Sequence, residues 1–185
     1  MERAWKKLKE EEGNIIVLFA GTLLLLCFFV GIAFDLSLYY TRKNDLENLC
    51  RLLREDRFTH QDSIRYADNP GAKNYIIASK TLQDNGFAGD LSVFFKEESF
   101  PAQANSRQYK IRIELSENFD FHFLKIFGLS NVRVKAYIDG KENYGEGGSD
   151  VIWHPSAAAE TYSGVYSGSA GSGYSFTQGT FPSGW

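Results

Sequence analysis

The sequence predicts an α+β protein. It has a long N-terminal membrane-anchored helix, a small head with a short helix and an antiparallel sheet, and a low-complexity C-terminal tail. Three observations carry this reading. Residues 15 to 34 form an apolar run without a charge. Residues 109–116 and 132–138 alternate apolar and polar side chains. Beyond residue 141, Gly, Ser and Tyr replace the aliphatic residues.

The chain has 185 residues, 43% of them hydrophobic, which fits one small domain with extensions. The net charge is −3 with both signs mixed, so no basic patch marks a nucleic-acid partner. Cys27 and Cys50 would lie ~34 Å apart on one helix, which rules out a bridge between them. Cys50 is then a free thiol or the site of a bond to another chain.

The run "IIVLFAGTLLLLCFFVGIAF" contains fourteen Leu, Ile, Val or Phe residues. At about −0.3 to −0.6 kcal/mol each, they favour membrane insertion by about 4 to 8 kcal/mol. Twenty helical residues span ~30 Å, the thickness of the hydrocarbon core. A signal-peptide core is shorter, at about 7 to 15 residues. Gly31-Ile32-Ala33 has the small residues of a signal-peptidase site. Against it stand the length of the run and four acidic residues before it, Glu2, Glu10, Glu11 and Glu12. A lipoprotein site at Cys27 is poor, because Leu26 stands where a small residue is needed. Arg3, Lys6, Lys7 and Lys9 precede the run, and only Arg42 and Lys43 follow closely. The positive-inside rule places residues 1–13 in the cytoplasm and the long C-terminal part outside. The expected localisation is therefore a cell membrane, single-pass, with an extracytoplasmic head.

Residues 14–35 are read as the transmembrane helix and 36–57 as its continuation into a stalk, one helix to about residue 56. Tyr39, Leu46, Leu49 and Leu53 share one face and need cover, which the chain's own head would supply. The head spans 58–141. Asn69-Pro70 reads as an N-cap and first helical residue. Tyr75, Ile76, Ala78 and Leu82 are available to bury, and Asn85-Gly86 ends the helix. Strands follow at 91–95, 109–116 and 132–138. Tyr109, Ile111, Ile113 and Leu115 share one face, as do Val132, Val134, Ala136 and Ile138. Such alternation means a sheet with one wet face, hence antiparallel. "FDFHFLKIFG" is too aromatic for a free loop and reads as a short helix or turn over 119–127 that caps the sheet edge. Residues 142–185 read as a disordered Gly/Ser/Tyr-rich tail, with Trp153 and Trp185 as surface contacts.

No catalytic constellation is visible. His60, His122 and His154 are isolated, with no metal-ligand spacing around them. His122, between Phe121 and Phe123, reads as a packed or surface residue. Glu97-Glu98 reads as a solvated pair in a loop, and "GSGYS" as tail composition. The expectation is a non-enzyme without cofactor, metal or small-molecule substrate.

"EEGNIIVLFAGTLLLLCFFVGIAFDLSLYYTRKNDLENLC" resembles the N-terminal region of TadE/TadG-like proteins of the Tad (Flp-type) pilus assembly system. The resemblance rests on Gly13-Asn14, the apolar run, Asp35 about twenty residues on, and Tyr39, Arg42 and Leu46 beyond it. "FHFLKIFGLSNVRVKAYI" looks like the family's later aromatic turn, Gly and alternating strand. The resemblance implies a membrane-anchored structural subunit, minor-pilin-like or TadG-like, whose long helix meets other pilus assembly subunits. It also implies a possible prepilin-type cut between Gly13 and Asn14. One departure is Leu18, which stands where pilin-like precursors carry Glu. Gly21 and Gly31 would let such helices bundle. Asp35 would mark the membrane boundary, hydrated among the headgroups or paired with a base on a neighbouring subunit. The alternative function is a signal-anchored binding or adhesion module, for which a pocket lined by Phe94, Tyr109 and Tyr137 would speak.

Overall fold

The computed structural model describes residues 2–65, 67–98, 107–144 and 161–185. Trp153, His154 and the rest of 145–160 lie outside the described residues, and at Gly13 and Asn14 only the helical backbone is described. The elements run α1 (Glu2–Thr59), α2 (Gln61–Arg65), α3 (Pro70–Asp84), β1 (Asp90–Glu98) and β2 (Arg107–Asp120). A 3-10 turn (Leu124–Phe127), β3 (Asn131–Tyr144), β4 (Gly164–Ser169) and β5 (Ser175–Gln178) complete them. The fold is α+β, as expected. The chain divides into two compact units. One comprises Met1–Thr41 with Phe119–Val132, and the other Arg42–Asn118 with Arg133–Trp185.

α1 starts earlier than residue 14. Residues 2–12 hold four Glu and three Lys together with Arg3, Ala4 and Leu8, all good helix formers, so the helix starts well before the apolar run.

In the second unit five antiparallel strands lie in the order β3-β2-β1-β4-β5. The β1–β2 register sets Leu91 opposite Leu115, Val93 opposite Ile113 and Phe95 opposite Ile111. All six are buried, so every second residue of both strands feeds one core. Val134 and Ala136 of β3 are buried as well. From α1, Leu46, Cys50 and Leu53 join this core at helical spacing. Of the expected stripe, Leu46 and Leu53 are buried in this core and Leu49 is half-buried beside Cys50, whereas Tyr39 belongs to the first unit, against Phe119. Asp56 accepts a hydrogen bond from Thr81 Oγ1 at 2.5 Å, tying α1 to α3.

α3 is capped as its sequence implies. Asn69 Oδ1 accepts from the Ala72 amide at 2.9 Å, Pro70 opens the helix, and Gly86 adopts φ 72° beyond its end. Tyr75, Ala78 and Leu82 are buried, but Ile76 is 55% exposed. It lies one helical step round from Tyr75, outside the stripe; Asn74 and Ser79 are buried within it.

The tail departs from expectation. Residues 164–169 and 175–178 are strands, and β4 pairs with β1 through Val93–Tyr166 and Phe95–Gly164. Tyr166 is fully buried. Its hydroxyl donates to one acceptor of the pair Asn69 Oδ1 (2.9 Å) and Tyr162 O (2.8 Å) that flank it. Glycine content here reflects close packing rather than disorder. A Cβ at Gly71 would strike the Tyr166 ring, and one at Gly168 would meet Gly173 O and the Tyr75 hydroxyl. "GSGYS" belongs to the turn between β4 and β5 and to the start of β5, with Gly171 at φ 77°. Trp185 lies over Arg112 at 5.6 Å, and Tyr137 lies 4.5 Å from the same guanidinium. Arg112 also makes a forked pair with Asp139, at 2.6 and 2.9 Å, which with that carboxylate's charge raises its pKa. Glu97 and Glu98 are not in a loop; they close β1 opposite Tyr109 and Gln108.

Two predictions follow from this core. Replacing Tyr166 by Ala should destabilise the protein by about 3 to 5 kcal/mol in urea unfolding of the detergent-solubilised chain. Ser167→Ala, one residue on, should cost under about 0.5 kcal/mol. Equal, small effects would mean that β4 is not a core strand. Burial pushes the Cys50 thiol and the Tyr166 phenol each up to about 12, from ordinary values of 9.0 and 10.0, with Glu47 adding to the Cys50 shift. Both acids are neutral when folded and ionise earlier when unfolded. Their stabilisation is therefore whole below pH 9 and is lost as pH climbs through 12. A Cys50→Ala chain should lose less stability than the wild type between pH 9 and 12; identical pH profiles would contradict the burial.

Candidate functional site

The first unit is built on the apolar part of α1. Its most apolar stretch has a mean hydropathy of 2.9 and is only 6% buried within the protein. Leu18, Leu24 and Phe29 point outward with nothing over them. This helix is long and apolar enough to cross a membrane.

Its end is different. Gly31 and Asp35 stand four residues apart, on one face, and both are buried. The aspartate is buried because a backbone turn folds over it. Asp35 Oδ1 accepts the His122 amide at 3.0 Å. Oδ2 accepts the amides of Phe123 and Leu124, each at 2.8 Å. Three successive N–H groups converge on one carboxylate, a concave donor set of the kind that binds anions. Hydrogen bonds to a charged acceptor are the stronger sort, and they replace the water that burial removes.

The sequence explains why the turn needs this partner. The 3-10 turn Leu124–Phe127 has Phe123 at its N-cap, and no side chain of its own caps it. Asp35, remote in the chain, supplies the missing acceptor. At the other end Gly128 takes φ 87°, where a side chain would be strained, and the chain turns back toward β3.

Aromatic contacts extend the clasp along the helix. A Cβ at Gly31 would lie 2.6 Å from Phe123 Cδ1, so the glycine makes room for that ring. Phe28 meets Phe127 edge-on at 4.8 Å, Phe34 meets Phe123 at 6.1 Å, and Tyr39 meets Phe119 at 6.0 Å.

The structure thus revises several expectations. Asp35 is neither hydrated nor open to a base; both its oxygens are occupied within the chain. Gly31 is filled by Phe123, whereas Gly21 has nothing within 4 Å. Residues 119–127 contain the expected short turn, and they group with the first part of α1. His122 lies at the surface, one of the two expected placements, and its backbone amide is what the site uses. Leu18 is 74% exposed on the helix surface. The bonding partner of Asp35 escaped the sequence reading. The available signal was an uncapped aromatic turn, without an acidic residue between Asp120 and Asn131, facing the one acid at the end of the apolar run.

The pocket that would favour a binding module does not form. Tyr109 is buried beside Phe95 in the core, at 5.4 Å between rings. Phe94 and Tyr137 sit on the opposite face of the sheet, where Phe94 pairs with Arg112 and Tyr137 lies against that guanidinium. Cys50, on the core side of α1, is buried, which leaves no thiol there for a bond to another chain.

Asp35→Ala should strip the amides of His122, Phe123 and Leu124 of hydrogen-exchange protection while Val93 and Ile113 keep theirs. Gly31→Leu should loosen the same turn by displacing Phe123. Unchanged protection at 122–124 in both variants would refute the clasp.

Comparison with protein-family models, with curated proteins and with solved structures finds no match for this chain.

Proposed function

We propose that this chain is a membrane-anchored structural component, minor-pilin-like or TadG-like, of a Tad/Flp-type pilus assembly machine. The apolar part of α1 is its single span, the N-terminus is cytoplasmic, and the head is extracytoplasmic. The observation that carries the reading is Asp35. It is the acidic residue that the resemblance singles out beyond the apolar run, and it organises the turn Leu124–Phe127. That turn belongs to the second segment in which the resemblance was seen. The two resembling segments, far apart in sequence, meet at one carboxylate.

A structural role also suits the chemistry. The carboxylate accepts three backbone amides within the chain, which makes it a fastener. The outward face of the span offers apolar side chains and Gly21 to lipid or to neighbouring helices.

Deleting the gene should abolish or shorten surface pili, and normal piliation in the deletion strain would argue against the assignment. The mature N-terminus refines it. Edman sequencing and intact mass from membranes should give Met1 for an uncut anchor or Asn14 for a pilin-like subunit. A start at Phe34 would mean a secreted protein and would contradict the anchor.

A further inference from the structure

We propose that the turn between β2 and β3, residues 121–129, is a second membrane-inserted element, its tip lying among the lipid acyl chains of the outer leaflet. This rests on the reading of α1 as a membrane anchor and adds a contact that the anchor does not require.

The first observation is composition against exposure. Ile126 is 78% exposed, and Phe127 and Leu129 are each 57% exposed. Three large apolar side chains at one loop tip in water would be costly, and their cluster marks an interaction surface. Lys125 is the one formal charge between Asp120 and Asn131, and a lysine stem reaches back to the headgroups.

The second observation fixes what covers the tip. Phe127 packs on Phe28, inside the uncharged run. Phe28 precedes Asp35 by seven residues, or about 10 Å along the helix axis. If Asp35 marks the boundary, the tip reaches about 10 Å below it, within a leaflet whose hydrocarbon is about 15 Å deep. Whatever surrounds Phe28 there surrounds Phe127 as well. For an anchored helix, that medium is lipid.

The third observation removes the usual objection. Irregular backbone is not tolerated in hydrocarbon when its polar groups are unpaired. Here the Asp35 carboxylate takes the amides of 122, 123 and 124. Within the turn, Ile126 donates to Phe123 O, Gly128 to Lys125 O and Leu129 to Leu124 O, at 3.1 to 3.2 Å. At its base the Phe121 amide donates to Ser130 O at 3.0 Å. With seven of these amides paired within the chain, the turn is suited to a medium without water.

The test uses the full-length chain with Cys27→Ala and Cys50→Ala, reconstituted at low density in phosphatidylcholine vesicles. Single cysteines carrying an environment-sensitive fluorophore are placed at Ile126, at Leu129, at Leu24 in the span and at Ile76 in α3. The proposal expects blue-shifted emission at 126 and 129, quenched by doxyl-labelled lipid and spared by aqueous iodide, as at Leu24. Ile76 should behave oppositely. Iodide quenching at 126 and 129 with Leu24 still in lipid would overturn the inserted turn and leave the anchor standing. Iodide quenching at Leu24 too would overturn both. Shielding of 126 and 129 from both quenchers would mean that protein covers the tip, and would likewise overturn the proposal.

Discussion

A single carboxylate sets the architecture of the first unit. An aspartate at the end of an apolar helix needs strong hydrogen-bond donors, and an uncapped turn needs an acceptor. Asp35 and the amides of His122, Phe123 and Leu124 meet both needs at once. The aromatic contacts follow from that fastening. With the turn held at Asp35, Phe123 falls onto Gly31 and Phe127 onto Phe28. Without the carboxylate, three successive amides would lose their acceptor within the chain, and the rings would lose the fastening that sets them.

The second unit solves a different problem, the small size of the head. A domain of this length buries a limited share of its surface. Residues 42–59 of α1 contribute Leu46, Cys50 and Leu53 to the core, and the C-terminal segment contributes Tyr166. These additions come from both ends of the chain. β4 and β5 extend a three-strand sheet to five strands, and α3 packs on β1 and β4.

Much of this was legible in the sequence, for physical reasons. The apolar run, the Asn69-Pro70 start of α3 and the alternation of β2 and β3 depend on local pattern, and each lies where the pattern put it. Ile76 lies outside the buried stripe because a helix face is decided by its neighbours, and it stays 55% exposed. The strands β4 and β5 were missed because Gly and Ser are weak strand formers. Here Gly71, Gly164 and Gly168 are demanded by close approach, a tertiary fact invisible to composition. The Asp35 clasp was hidden for a related reason. Its two halves are 87 to 89 residues apart, and backbone amides carry no sequence signature.

The clasp is the central claim, and a distance measures it directly. Solid-state NMR of the full chain in lipid bilayers can report dipolar coupling between Asp35 Cγ and the amide nitrogens of His122, Phe123 and Leu124. Hydrogen bonds of 2.8 to 3.0 Å place those nitrogens under about 4 Å from the carboxyl carbon, so all three should dephase strongly. Absence of coupling at all three nitrogens, in a sample whose Asp35 signal is resolved, would contradict the account.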